Sequence, residues 1–415
     1  MALRAAPLAA KRRATFPRPT IPGMNAETGD GMDLQAVRRG RWAAAALFLV
    51  NGLVMGAWAP QIPLFLPRHS ITEGTLGLMI LLIGVGAVGA MLFAGKLIAV
   101  YGSRRCALVF GFCITPALPL MVLAPDLWLL APCMVWLGAA MGCMDVSMNA
   151  NAVEVERRLD RAIMSSSHGF WSVGGFAGGA IGGLAIARFG AEAQAIGVGV
   201  IAFGILVVAA PFLIVEPRAA VSAERPKTAM FPRVPALYLI GAMALFTMVA
   251  EGGVLDWAAL YLSKTMDSSL ARSGLAFGFF SGAMAVMRFL GDRVRDRFGA
   301  VGTLRISGLV AAGGMAVAAL APNDIVAIMG FTCSGLGVAN MVPILFSAAG
   351  SYPGMTPGAG IATVTMIGYS GILVAPSAIG YAAQTIGYRP TYGVITALLL
   401  VVVLQAWRAA PAERA

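Results

Sequence analysis

The chain has 415 residues, of which 59% are hydrophobic and only 12% charged, with a mean hydropathy of +0.81. A soluble domain carries about 25% charged residues, so a water-soluble globule is excluded. The formal net charge of +11 raises nucleic acid as a partner, but in so apolar a chain the basic residues are better explained by membrane topology, and no nucleic-acid partner is expected.

Residues 1–40 hold Lys11, Arg12, Arg13, Arg18, Arg38 and Arg39 among several prolines, a composition that predicts a disordered basic cytoplasmic tail. No long apolar segment follows the early basic cluster before residue 42, so a secretory signal is not expected, and Met24 and Met32 are alternative starts. From residue 42 onward, apolar runs long enough to cross a bilayer as helix recur. They are far too long for barrel strands, which leaves helices as the only way to satisfy the backbone in lipid. Twelve spans are predicted: 42–66, 75–97, 106–124, 127–152, 164–187, 193–215, 235–262, 273–290, 304–320, 324–348, 359–383 and 391–407. The polar, proline-containing stretch 216–234 reads as a linker between two six-helix bundles, 41–215 and 235–407, with a short tail at 408–415.

The two bundles repeat. A shift of 197 positions carries Ala99-Val100-Tyr101-Gly102 onto Asp296-Arg297-Phe298-Gly299, Gly138 onto Gly335, Gly183 onto Gly380 and Gly190 onto Gly387. Leu47-Phe48 recurs as Leu245-Phe246, one residue off that register. A chain of two similar membrane halves usually moves something through the cleft between them. With the N-terminus inside, the tail, the even-numbered connections with the span ends that border them, and the C-terminus hold 25 of the 30 basic residues. The outer connections hold only Arg68, Arg188, Lys264, Arg272 and Arg389, so both termini are expected in the cytoplasm. In the fifth span Gly174, Gly178 and Gly182 stand four apart, as do Gly175, Gly179 and Gly183, which places two small ridges on adjacent helix faces where neighbours can approach closely. The five cysteines lie in apolar spans without metal-ligand spacing, so neither a disulfide nor a metal is expected.

Twelve spans, the six-plus-six repeat, a basic central linker and a loop motif after the second span of each half resemble the major facilitator superfamily over about residues 40–407. The first motif copy, Gly95-Lys96-Leu97-Ile98-Ala99-Val100-Tyr101-Gly102-Ser103-Arg104-Arg105, keeps the glycines and arginines but has Ala99 where that family usually has aspartate. The second copy keeps Asp296, Arg297 and Gly299 with one extra residue. The resemblance implies that these motifs latch the cytoplasmic side, through Asp296 in the second half rather than through the first. Asp145-x-x-x-Asn149, Glu154, Ser165-Ser166-Ser167-His168-Gly169, Glu251 and Asp256-Trp257 are similar to the fucose-permease-related branch, and to bacterial inner-membrane proteins of the YbjJ type. That resemblance implies an alternating-access permease in the bacterial inner membrane, working as a monomer without cofactor. It also implies a proton-coupled small polar solute, such as a sugar, with the span-four acid in proton coupling or sugar binding.

A carboxylate in the hydrocarbon region is costly, by roughly 3 kcal/mol or more, so it faces a cavity, a partner or a proton. Asp145 is expected about 10 Å inside the fourth span, with Asn149 one turn further along the same face. His168 opens the antiparallel fifth span, and pairs with Asp145 if it lies at the same depth. Glu251 is the candidate solute or proton contact of span seven, and Asp256 either caps or gates the cavity. Trp58, Trp171 and Trp257 are candidates to stack on a sugar ring, with interface anchoring as the alternative. Asn51 and Asn340 suit hydroxyl recognition or interhelical bonding. Glu154 neighbours Arg157 and Arg158, where ordinary ion pairing and a cytoplasmic gate are the two readings. No P-loop is present, so the energy source is expected to be an ion gradient. The rivals are an efflux antiporter for amphipathic compounds, which the 23 methionines would suit but the missing Gly-Pro step in span five does not, and a non-transporting sensor. A membrane enzyme on lipid-linked substrates would need a nucleophile or acid constellation that the sequence lacks.

Overall fold

The computed structural model describes residues 34–161, 163–215, 234–353 and 357–414. The expected linker at 216–234, except Val234, and the expected tail up to residue 33 lie outside the described residues. Among the described residues twelve helices follow one another: α1 Leu34–His69, α2 Glu73–Tyr101, α3 Ser103–Leu123, α4 Leu127–Leu159, α5 Met164–Phe189 and α6 Ala191–Phe212, then α7 Pro235–Met266, α8 Leu270–Gly291, α9 Arg293–Leu320, α10 Asp324–Gly350, α11 Pro357–Ile386 and α12 Tyr388–Leu404. The first eleven contain windows long and apolar enough to cross a bilayer, and α12 bends by 48° into a short 3-10 segment at its end. Large side chains exposed on the outside, such as Leu92, Phe189 and Leu404, are apolar, as lipid contact requires.

Helix ends follow local chemistry. Thr72, Asp126 and Asn323 accept the hydrogen bonds that cap α2, α4 and α10. α1 starts at Leu34, eight residues before its predicted span, so the end of the expected tail is helical. Pro60 falls in a 3-10 turn at Ala59–Gln61, inside α1, where a missing N–H is tolerated. The second motif is not an open loop. Helix runs from Leu270 to Leu320 with its break at Gly299, where φ is 70°. Among the described residues four glycines have positive φ: Gly102 at 82°, Gly190 at 91°, Gly299 at 70° and Gly387 at 88°. These are two pairs related by the 197-residue shift; Gly102, Gly190 and Gly387 each turn one helix into the next and Gly299 kinks α9, all in a conformation that side chains resist.

Packing repeats with the same register. A Cβ on Gly138 would strike Ile83 O, and one on Gly335 would strike Phe280 O; a shift of 197 carries the first contact onto the second. Between the halves the relation is crossed. A Cβ on Gly274 would lie 2.7 Å from Gly179 O and one on Gly77 3.0 Å from Pro376 O. Likewise Gly183 faces Leu270 O and Gly380 faces Glu73 O, each at 2.8 Å. α5–α8 and α2–α11 are therefore equivalent seams of a pseudo-two-fold.

Both glycine ridges of α5 are used. Gly174 and Gly178 lie against Leu49 O and Leu53 O of α1, while Gly175, Gly179 and Gly183 lie against Ser281, Gly278 and Gly274 of α8. A wide i→i+5 turn at Ala177–Ile181 interrupts the α5 ladder at this double contact. The stretch expected as a tail at 408–415 is docked through residue 414: Ala406, Ala409 and Ala412 are buried, Arg295 Nη2 donates to Ala412 O at 2.8 Å, and Glu413 Oε1 accepts from Val301 N at 2.9 Å.

A side chain at Gly178 has no space, whereas Gly197 on α6 has nothing within 4 Å of its Cβ position. Gly178→Val is expected to destabilise by about 1–3 kcal/mol through overpacking. Thermal unfolding in detergent should show a lower midpoint for Gly178→Val and an unchanged one for Gly197→Val.

Candidate functional site

A cavity of about 650 Å³ lies between the two halves. Its wall runs from Ile80, Asp256 and Pro376 toward Met91, Ser165, Arg295 and Phe346, the ends of α2, α5, α9 and α10 that share a side with the start of α1 and the finish of α12. We call this side the tail end. The opposite end is shut: Ser377 Oγ donates to Gly77 O at 3.2 Å and Gly74 N donates to Gln384 Oε1 at 3.0 Å, beside the close glycine contacts. On the tail-end part of α2, by contrast, Gly89, Gly95 and Gly102 have nothing within 4 Å of a Cβ position. The cavity thus opens toward the tail end.

The wall is mostly apolar and includes five methionines, Met55, Met91, Met141, Met164 and Met248. Its polar groups include Asn51, Asp145, His168, Glu251, Asp256 and Asn340, each singled out in the sequence, together with Trp171. Trp171 Nε1 donates to Asn51 Oδ1 at 2.8 Å, fixing the amide so that its Nδ2 stays buried and unpartnered. The Nδ2 of Asn340 is in the same state. Two amide donors at the cavity wall therefore have no acceptor among the described residues, a debt that a bound polar molecule can settle.

The largest omission of the sequence reading is Arg288, which it counts with the inner-surface arginines. The structure puts Arg288 in the cavity wall on α8, with its side chain 16% exposed. Arg288 Nη2 is 3.6 Å from Glu251 Oε1 on α7. Nη1 donates to Ser172 Oγ at 2.6 Å and to His168 O at 3.4 Å, both on α5, and the guanidinium lies 5.8 Å from the Trp171 ring centroid. Arg288 falls inside the predicted span 273–290, and that depth was the available signal.

Asp145 and His168 share the cavity but do not pair. Asp145 instead receives Asn149 Nδ2, 3.3 Å from its Oδ1 and 2.8 Å from its backbone oxygen. His168 packs edge-on to Phe48, with ring centroids 5.0 Å apart. Neighbouring turns of one helix satisfy Asp145 at less geometric cost than a partner on α5. Asn149 is thereby turned to Asp145 and is not part of the wall. Of the three tryptophans proposed to stack on a sugar, only Trp171 lines the cavity. Trp58 and Trp257 are fully buried at the closed end, Trp58 against Phe65 and Trp257 against Gly77 and Gly380. They fill the closure, and the Trp257 indole Nε1 has no hydrogen-bond partner among the described residues.

The gate residues make no ion pair across the halves among the described residues. Glu154 is held by its own helix, 2.8 Å from Arg157 Nη2 and 2.6 Å from Arg158 Nε. Arg104 Nη2 donates to Ala210 O at 3.1 Å, within the first half, while Arg105, Asp296 and Arg297 are exposed. An unlatched tail end agrees with a cavity that opens there.

Sequence and structure comparisons agree. A family model described as Major Facilitator Superfamily matches residues 44–376. An uncharacterized MFS-type transporter of Yersinia pestis is 37% identical over 360 residues, covering 86% of this chain and 93% of the relative. Membrane protein MosC of Rhizobium meliloti is 34% identical over 351 residues, covering 83% and 84%. Among solved structures, a mutant of the nucleoside transporter NupG superposes with a TM-score of 0.72 at 10% identity, covering 89% of this chain and 99% of the other. A D-xylose-proton symporter gives 0.67 at 14%, covering 90% and 97%. At these identities the structures establish the fold alone. The family is one of transporters and not of enzymes, and the chain, a multi-pass membrane protein of two six-helix halves around a central cavity, belongs to the Major Facilitator Superfamily.

Proposed function

We propose that the protein is a proton-coupled symporter of a small polar solute, such as a sugar or nucleoside, in the bacterial inner membrane. It works as a monomer with both termini in the cytoplasm. The observation that carries this reading is the cavity wall, where three carboxyls, Asp145, Glu251 and Asp256, accompany two unpartnered amide donors. Amide donors and carboxylate acceptors on facing halves suit a molecule that carries hydroxyl or carbonyl groups. In this orientation the cavity faces the cytoplasm, and the opposite arrangement follows when the α2–α11 seam parts and the tail end closes. Asp145 lies toward the tail end and Asp256 toward the closed end of the cavity, so reversing the opening changes which carboxyl lies nearer to bulk water. That is the condition for taking a proton on one side and losing it on the other. The nucleoside transporter and the D-xylose-proton symporter that share this fold act on solutes of this class.

A second reading, proton-driven efflux of amphipathic compounds, draws on the five methionines of the wall, whose flexible thioethers adapt to varied apolar shapes.

Three measurements test the assignment. In proteoliposomes with an imposed proton gradient, Asp145→Asn should reduce solute accumulation to the equilibrated level while leaving exchange within about twofold; full accumulation by the variant removes Asp145 from coupling. Thermal shifts against sugars, nucleosides and lipophilic cations identify the ligand class. A ligand at one hundred times its dissociation constant stabilises by about 2.7 kcal/mol, and shifts with lipophilic cations alone favour efflux. In spheroplasts of a cysteine-free variant, Asp296→Cys should resist an impermeant maleimide until the membrane is permeabilised; immediate labelling reverses the orientation.

A further inference from the structure

A second hollow lies outside the central cavity. It is a groove of about 390 Å³ between α9 and α12, at the closed end of the second half. Ala316, Ala319 and Leu320 line it from α9, Gly393 and Thr396 line it from α12, and Arg389 stands at its head. Leu320, Arg389 and Gly393 are exposed, so the groove faces the surrounding lipid. From Arg389 to Thr396 the helix rises about 10 Å at 1.5 Å per residue, which takes the groove from the interface into the hydrocarbon region. Its walls make little polar demand: the Thr396 hydroxyl donates to Tyr392 O of its own helix at 2.9 Å, and nothing lies within 4 Å of a Cβ position on Gly393.

The head of the groove is a cation without an anion. Arg389 Nη2 donates to Ala321 O, at the end of α9, at 2.8 Å, which fixes the guanidinium but brings no counter-charge. Among the described residues no carboxylate lies within 4 Å of it. Asp324, just beyond Ala321, is instead paired with Arg272 at 3.0 Å and accepts from Ser268 Oγ at 2.9 Å. The equivalent α3–α6 seam of the first half has neither the hollow nor the charge. The 197-residue shift sets Arg389 against Glu192, Gly393 against Ile196, Ala316 against Pro119 and Ala319 against Val122. Glu192 is paired with Arg68 at 3.5 Å. Gly199, the counterpart of Thr396, lets its helix close on α3, since a Cβ there would lie 2.6 Å from Thr115 O. The repeat therefore seals this seam in one half and leaves it open, with a fixed cation, in the other.

We propose that the α9–α12 groove is a binding site for one molecule of an anionic phospholipid, phosphatidylglycerol. An acyl chain lies along the apolar walls, and the phosphodiester sits on the guanidinium of Arg389. A guanidinium has five N–H donors in a planar fork that matches phosphate oxygens, so the donors left over from Ala321 suit this headgroup. Charge selects among lipids. Phosphatidylethanolamine brings its own ammonium beside the phosphate and leaves the charge of Arg389 uncompensated, whereas phosphatidylglycerol neutralises it. The site is independent of which solute the central cavity takes and of what drives its transport.

The test reads lipid binding and not transport. Delipidated full-length protein is titrated in a nonionic detergent with phosphatidylglycerol or phosphatidylethanolamine of identical acyl chains, and native mass spectrometry counts the bound lipids. The first phosphatidylglycerol should bind at least fivefold more tightly than the first phosphatidylethanolamine. Arg389→Gln should remove that preference. Gly393→Leu, which puts a side chain into the groove, should weaken both lipids at least threefold. Arg188→Gln is the control, because Arg188 is another outer cation in no ion pair among the described residues and lies on α5, away from the groove; it should bind both lipids as the parent does. Where Arg389→Gln fails to fold for want of its contact with Ala321, the parent's preference and Gly393→Leu still test the charge and the groove. Equal affinity of the parent for the two lipids overturns the proposal. So does a preference that survives Arg389→Gln, or one that Arg188→Gln removes equally. A parent that forms a dimer on delipidation, lost in Gly393→Leu, assigns the groove to a second copy of the chain and overturns it as well.

Discussion

The structure depends on how closely two backbones can approach inside a bilayer. Lipid tails are as apolar as leucine, so burial gives helices no reason to associate, and what remains is van der Waals contact and hydrogen bonding. α5 meets this constraint by giving up side chains on two faces at once. Gly174 and Gly178 admit the carbonyls of α1, and Gly175, Gly179 and Gly183 admit α8. The first contact builds a half and the second joins the halves. The cavity, its closed end and the position of Arg288 all follow from where α5 is held.

The two halves are alike in backbone and unlike in chemistry. Helix breaks at Gly102 and Gly299, close contacts at Gly138 and Gly335, and the crossed seams at Gly77 and Gly274 all obey one register. The same register sets Asp145 against Val342, Trp171 against Gly368 and Asn340 against Cys143. Symmetry provides two arrangements of similar energy. The asymmetric polar groups give one solute, in one pose, something to recognise. A cavity with equal chemistry on both sides would gain nothing in selectivity from its two-fold.

Much of this was legible from the residues. Span positions follow from apolar length, the repeat from glycine spacing, and the double use of α5 from glycines four apart. Positive φ and carbonyl contact leave glycine little alternative, so those signals are sharp. Side-chain partnership was harder. The sequence brings Asp145 and His168 to similar depth, but rotation about each helix axis decides whether they meet, and Asn149 is nearer. Trp58 and Trp257 read alike whether they face a solute or plug an end. Arg288 was hidden by its position: near a helix end, a buried cation and a headgroup anchor look the same until the neighbouring helix is seen. The gate motif was recognisable as a motif, but whether it is latched is a property of one conformation.

The docked segment at 406–414 bears on how the protein can be handled and how it can diverge. Glu413 closes the first turn of the helix after Gly299, and the carbonyl of Ala412 anchors Arg295, which also borders the cavity. A fusion partner or affinity tag attached immediately after residue 415 would pull on a contact that shapes the cavity mouth, so a spacer is needed between them. Drift in these last residues is likewise constrained by a helix more than a hundred positions earlier in the chain.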